Sequence, residues 1–312
     1  MKVKVKKKKL TKAQLLKIWN RDKHLYLLTL PALIFIIVFA YVPMYGVQLA
    51  FKDYVARDGI TGSDWNNFAH FTRFFQSAQF WTLLKNTLSL SVYGLVAGFP
   101  FPIIFALLLN HTSNKKFKST VQTVAYAPHF ISMVVMCGMI ILFLSPTTGV
   151  VNNMLTAVGL DSVYFMGKEE LFYHIYVWTG VWQNVGWGTI IYVAALSAVS
   201  PELYEAAKMD GAHKLQLIRH IDLPTILPTI ITLFILNMGS FMNVGFQKAY
   251  LLQNSMNLGA SEIISTYVYK MGLLNGQFDY STAISLFNNI INIILIVGTN
   301  TICKKLAKTA LW

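Results

Sequence analysis

Charge is scarce in this chain. Asp, Glu, Lys and Arg make up 12% of its 312 residues, while hydrophobic types make up 55%. A soluble domain usually carries about twice that charged share, and so much apolar surface exceeds what one water-soluble core can hold. The bilayer is therefore the expected solvent. Cysteine is nearly absent too: Cys137 and Cys303 are the only two, and a disulfide framework is excluded. The sequence contains no GxxxxGK(S/T) phosphate loop, no HExxH and no GxSxG. Nucleotide binding by that loop, zinc hydrolysis on a helix and nucleophile-elbow chemistry thus have no support. The seven histidines are scattered, and His129, which follows Pro128, reads as the neighbour of a kink rather than a metal ligand.

The missing charge defines what is there. Taking charged residues as stops, the long uninterrupted runs are His24–Phe51, Asn86–Asn114, Ser119–Leu160, Leu171–Pro201, Leu223–Gln247 and Tyr280–Cys303. A membrane helix needs about 20 mostly apolar residues, so each run holds one span. The third could hold two, but Ser145-Pro146-Thr147-Thr148-Gly149 interrupts it after Leu144. The expectation is an all-α integral membrane protein of six helices at 25–49, 83–109, 119–144, 173–199, 224–245 and 281–302. Residues 1–24 form a basic tail, 25–312 one transmembrane domain, and 200–224 a polar loop within it. The first run is longer than a signal-peptide core and reads as a retained anchor.

Lys and Arg placement orients the chain. With the N-terminus inside, 19 fall on the inner side and 6 in the opposite loops, with Lys85 at the outer mouth of the second helix. Both termini are then cytoplasmic, in a plasma membrane. The basic residues sit where topology requires them, so the net charge of +13 does not imply a nucleic-acid partner. The run Lys6–Lys9 instead precedes a span facing anionic lipid. Val150, Val151, Met154, Leu155 and Val158 fall at helical spacing and suggest a short helix on the outer surface. The 261–271 segment, with Ile263, Ile264, Tyr267 and Val268, is expected to do the same.

No charge lies well inside a span, which argues against a proton-coupled carrier or pump. The spans do carry neutral polar groups: Trp182, Gln183, Asn184 and Trp187 in the fourth, Asn237, Ser240 and Asn243 in the fifth, and Asn288, Asn289 and Asn292 in the sixth. These residues serve either as interhelical hydrogen bonds or as a path for an uncharged, hydroxyl-rich solute, since amides donate and accept and indoles stack on sugar faces. Residue types alone leave both readings open.

The polar segment "YEAAKMDGAHKLQLIRHIDLP" (Tyr204–Pro224) stands between two apolar runs. Ser200-Pro201-Glu202 supplies a hydroxyl N-cap, a proline at N1 and an early acid. The helix they open runs to about Asp210, and Gly211 ends it in a left-handed turn. A second helix is expected over about Ala212–Asp222, with Leu215, Ile218 and Ile221 on one face, and Leu223-Pro224 closes an elbow before the fifth span.

Glu205-Ala206-Ala207-(x)2-Asp210-Gly211-Ala212, followed by Ile221-Asp222-Leu223-Pro224, resembles the EAA loop of binding-protein-dependent ABC import permeases. The resemblance extends over nearly the whole chain. "LPALIFIIVFAYVPMYGVQLAFKDY", "FPFPIIFALLLN", "LSPTTGVVNNML" and the terminal "LW" look like the carbohydrate-uptake permeases, in the branch that imports oligosaccharides released from polysaccharides, pectin-type ones included. It implies the six-helix type I permease fold. It also implies a second, homologous permease as heterodimeric partner, two cytoplasmic ATPase subunits that bind ATP and Mg, and an extracellular lipid-anchored solute-binding protein. This chain would hold no cofactor, no metal and no catalytic residue. Glu205, Ala206, Ala207, Asp210, Gly211, Ala212, Ile218, Ile221, Leu223 and Pro224 would couple to the ATPase, with Ile218 standing where many members have Phe. By analogy with the maltose transporter, the helices flanking the loop would contact substrate. That favours Asn184 and Trp187, with Gln183 beside them, then Asn237, Ser240 and Phe241, with Asn243 next on the same segment.

Since this path looks neutral, an acidic oligosaccharide would find its cations in the partner permease or at Lys85, Lys248 or Lys270. The competing readings are an ABC importer of another solute, such as a peptide or polyol, and a solitary carrier or channel. An intramembrane enzyme has least support, given no paired acids and no nucleophile–base set.

Overall fold

The computed structural model describes residues 12–307 and 309–312; residues 1–11 of the basic tail lie outside them. Helix α1 (Lys12–Ile36) continues through a π turn at Ile37–Tyr41 and Val42–Met44 into a 3-10 segment, Tyr45–Phe51. The helical rod Arg21–Phe51 is 31 residues long, and its most apolar stretch buries nothing against the rest of the chain. The expected span 25–49 lies inside this rod, and the expected tail boundary at 24 falls within α1. A short antiparallel ribbon follows, β1 (Lys52–Asp53) pairing with β2 (Asp64–Trp65).

After α2 (Ala69–Gln76), α3 (Phe80–Gly98) and α4 (Pro100–Asn110) form one 31-residue helix joined at Phe99. The third expected span, 119–144, is not one straight helix. It consists of α5 (Lys115–Tyr126) with a 3-10 turn at Ala127–Phe130, then α6 (Met133–Phe143), and the two arms bend by 99°. Pro128 lacks the N–H that would continue the helix. Ile131 is extended, and the Ser132 hydroxyl caps the new helix by accepting from Val135 N.

The second half holds α7 (Val150–Ala157), α8 (Glu169–Leu196), α9 (Pro201–Met209), α10 (Lys214–Leu217), α11 (Leu223–Met238), α12 (Phe246–Leu252), α13 (Ile264–Tyr269) and α14 (Phe278–Leu306). By length and composition, four helices among the described residues can cross a membrane, or five if the bent pair counts as one. The 28-residue α8 is long enough but more polar, because it carries Gln183, Asn184 and His174.

Two expectations about the fifth span need correction. Leu223-Pro224 is not an elbow: α10, a π turn at Ile218–Asp222 and α11 make one helix, Lys214–Met238. A proline normally clashes with the carbonyl four residues before it. Here the π turn ends two residues ahead of Pro224, as another ends two residues ahead of Pro43, and its wider winding accommodates the ring. The helix also stops at Met238, so Ser240, Phe241 and Asn243 lie on irregular backbone rather than on a span. A third correction concerns 261–271. Ile263, Ile264 and Tyr267 are buried in the core rather than laid on a surface. By contrast, α7 does present Val150, Met154 and Val158 outward.

Three apolar clusters hold the bundle. One joins Leu90 and Ala97 to Met136, Cys137 and Ile140 of α6 and to Phe172 and Val177 of α8. A second gathers Phe74, Phe80, Leu83, Tyr267, Tyr280 and Ile284 where α2, α3, α13 and α14 meet. The third packs Ala106 and Leu107 of α4 against Tyr192 and Leu196 of α8 and Ile226 of α11. Helix α8 touches α3, α4, α5 and α11 and is the central post.

Candidate functional site

At one end of the bundle, the 200–224 loop is built on a helix stop. Ser200 has the extended backbone of an N-cap, but its hydroxyl makes no capping bond, contrary to expectation. Gly211 has φ +80°, its N–H donates to the Lys208 carbonyl (3.0 Å), and Ala212 N donates to the Ala207 carbonyl (2.9 Å). These are the two bonds of a Schellman cap. Glu205, Ala206, Asp210 and Gly211 are exposed; Ala207, Ala212 and Ile221 are half-buried; Pro224 is exposed. Leu203, Met209 and Leu215 also stand in the open, with Met209 at 88% exposure. Ile218 and Leu223 point the other way. They pack on the apolar cluster of α4, α8 and α11, so they tie the loop to the bundle instead of joining its outer surface.

A polar knot anchors the loop. Asp222 is fully buried and accepts hydrogen bonds from Tyr204 Oη (2.5 Å), His111 Nε2 (2.5 Å) and Asn110 Nδ2 (3.4 Å). Asn110 Nδ2 also donates to Tyr204 Oη (3.1 Å). The knot fastens α9 and the π turn to the end of α4. Burial, then the Asp222 carboxylate, pushes the Tyr204 phenol up to about 12. Beside it Asn110, His111, Tyr204, Glu205 and Lys208 line a cleft of about 350 Å³. Sequence reading missed the knot. Its one signal was that Asp222 is the last charge before a long apolar run.

Between the helices lies a cavity of about 1050 Å³, and all seven expected path residues line it: Gln183, Asn184, Trp187, Asn237, Ser240, Phe241 and Asn243. Asn184 Oδ1 accepts from His129 Nδ1 (3.1 Å), and its Nδ2 donates to the Gly180 carbonyl (3.0 Å). The His129 ring stacks on Trp187 at 4.5 Å and 6°, with Phe130 edge-on, so the break in the third span packs two rings against Trp187. Gln183 Nε2 donates to the Ile131 carbonyl (3.2 Å), and its buried Oε1 has no partner. Asn237 donates to the Leu233 carbonyl (2.8 Å). Asn243 Oδ1 accepts from Asn288 (2.9 Å) and Asn292 (3.2 Å), so at this end the amides tie the irregular segment after α11 to α14.

The wall is not neutral. Lys248 of α12 lines the same cavity at 4% exposure. Its Nζ donates to the Tyr176 carbonyl (2.7 Å) and lies 4.8 Å above the Tyr176 ring. Burial lowers its ammonium to about 8. Of the other two lysines, Lys270 is paired with Glu262 at 2.6 Å, and Lys85 is exposed outside the cavity.

At the far end, Asp53, His70 and Asp279 bring ligand-type atoms within 4.8 Å of one another. Protein groups already engage them. His70 Nε2 donates to the Lys52 carbonyl (3.0 Å), and Asp279 accepts from Tyr54 N (3.1 Å) and Tyr280 N (2.7 Å). The group closes the β1–β2 loop onto the start of α14.

Residues 25–308 match the family described as "binding-protein-dependent transport system inner membrane component". The chain is 43% identical over 293 residues to protein LplB of Bacillus subtilis, covering 94% of this chain and 92% of that one. It is also 43% identical over 292 residues to the polygalacturonan/rhamnogalacturonan transport system permease protein YteP of the same organism, covering 94% and 91%. Among solved structures it resembles a chain of a bacterial alginate ABC transporter, crystallised in complex with an alginate pentasaccharide-bound periplasmic protein. That match has a TM-score of 0.87 at 41% identity, over 95% of this chain and 99% of the other.

Proposed function

This chain belongs to the binding-protein-dependent transport system inner membrane components, and from that premise we propose that it is the permease subunit of an ATP-driven importer of oligosaccharides released from polysaccharides. One observation carries the reading: a single helix, Lys214–Met238, runs from the exposed coupling loop to Asn237 on the wall of the cavity. A push on the loop therefore has a stiff route to the sugar path.

In this reading six segments cross the plasma membrane, with α8 and the bent α5–α6 pair joining the four apolar helices, and both termini are cytoplasmic. The 19-to-6 bias of Lys and Arg supports that orientation. A second permease closes the cavity, and two cytoplasmic ATPases, which bind ATP and Mg, receive the loop. Exposed Ala206 beside Glu205 allows close approach, and Leu203, Met209 and Leu215 supply apolar contact. An extracellular solute-binding lipoprotein delivers the sugar, and lipid covers the outward apolar faces. The relatives named for polygalacturonan/rhamnogalacturonan and alginate support a polysaccharide-derived cargo.

The test is purification of the tagged chain from its native membrane in mild detergent. An ATPase with a phosphate loop and a second permease with its own EAA segment are expected to come with it. A chain that purifies alone, and that captures no partner by crosslinking at Glu205, would fit a solitary carrier instead.

A further inference from the structure

We infer that Lys248 is the anion-recognition residue of the cavity, and that the cargo carries a carboxylate, as a uronic-acid oligomer does. The inference rests on the cavity being the sugar path, as proposed above. Among the residues lining the cavity, Lys248 alone carries a formal charge. It is almost wholly buried, and among the described residues no carboxylate lies within 4.0 Å of it. A buried cation without an anion is unfavourable and is retained where something compensates it. Here a backbone carbonyl and a ring face hold the ammonium, and neither carries a charge.

Those two contacts leave N–H donors over, since an ammonium has three. They also aim it. A Cβ on Gly180 would lie 3.2 Å from Nζ, so the bare backbone at 180 makes the passage through which the ammonium reaches Tyr176. Gly180 and Tyr176 themselves line the cavity. A carboxylate entering beside them would take a charge-assisted hydrogen bond from Nζ. Asn184 and Trp187 lie on the same wall, suited to the hydroxyls and the apolar face of the sugar ring. A neutral sugar of equal size would fill the space and leave the cation unpaired, so the cavity discriminates by charge.

The test compares two probes of equal length, trigalacturonate and its fully methyl-esterified, uncharged counterpart. Uptake is measured in proteoliposomes holding the complete transporter, its binding protein outside and ATP inside. Lys248→Met should cut trigalacturonate uptake about tenfold, leave the ester's uptake equal or higher, and keep binding-protein-stimulated ATP hydrolysis. Lys248→Arg should restore most of the loss. Unaltered trigalacturonate uptake by the Met variant would overturn the inference. An equal loss of both probes, unrelieved by Arg, would also overturn it and assign Lys248 to tethering α12 on α8. A wild-type transporter that imports the ester as readily as trigalacturonate would overturn the inference and leave the functional reading standing.

Discussion

At the scale of single residues, Gly211 and Trp187 do opposite jobs. Gly211 exists for its backbone: at φ +80° a side chain would strain the turn by ~1 kcal/mol or more, although a Cβ there would meet no neighbouring atom. Gly211→Val should therefore leave the bundle intact, as judged by size-exclusion profile, while ATP hydrolysis no longer drives uptake. Wild-type uptake by that variant would refute the role given to the turn. Trp187 exists for its surface, with 47% of it open and His129 stacked on one side. Trp187→Ala or Asn184→Ala should weaken uptake by ~1 kcal/mol, roughly fivefold in apparent affinity, with ATP hydrolysis preserved. If neither variant changes uptake, the sugar passes elsewhere.

At the scale of elements, the proposed coupling depends on the joint between α9, α10 and α4, through which a push on the loop would reach α11. Asp222 holds it with three donors from two helices. Asp222→Ala leaves those donors unpaired in a buried place, at a cost of ~1–3 kcal/mol. A fall of several degrees in Tm and loss of coupling should follow, with Asp222→Asn milder because its amide oxygen still accepts. Equal Tm values for wild type and the Ala variant would show that the knot is not an anchor. The Tyr204 phenol is held above its ordinary 10.0, to about 12. Its contribution to stability is therefore whole below pH 10 and lost only between 10 and about 12. This joint was not legible in the sequence, where Asn110, His111, Tyr204 and Asp222 lie in two segments about a hundred residues apart.

At the scale of the whole molecule, the two ends of the bundle should face different compartments. Met209 on the 200–224 loop and Met154 on α7 are both well exposed, at 88% and 66%. In a chain with Cys137 and Cys303 replaced by Ser, a membrane-impermeant maleimide should label Met154→Cys in intact cells. It should label Met209→Cys only in inverted vesicles. Labelling of both from one side would reverse or abolish the proposed topology. The Arg21–Phe51 rod, which buries none of its apolar stretch against its own chain, has lipid and the second permease as its expected neighbours.

The sequence by itself determined the solvent, the class and the loop. Long charge-free runs report transfer into a bilayer, a property each residue contributes alone, and the Glu205-to-Pro224 spacing is local enough to survive without tertiary contacts. It also picked out seven residues that line the cavity, most of them because amides and indoles are conspicuous in an apolar run. Only the tertiary structure decided the rest. Pro128 bends the third span and brings His129 onto Trp187, a π turn straightens the predicted elbow at Pro224, and Ile218 turns inward. It also put a buried cation in a path that reads as neutral, since Lys248 meets Tyr176 across 72 residues of chain. Such meetings depend on how helices pack, and packing couples residues that no local pattern relates.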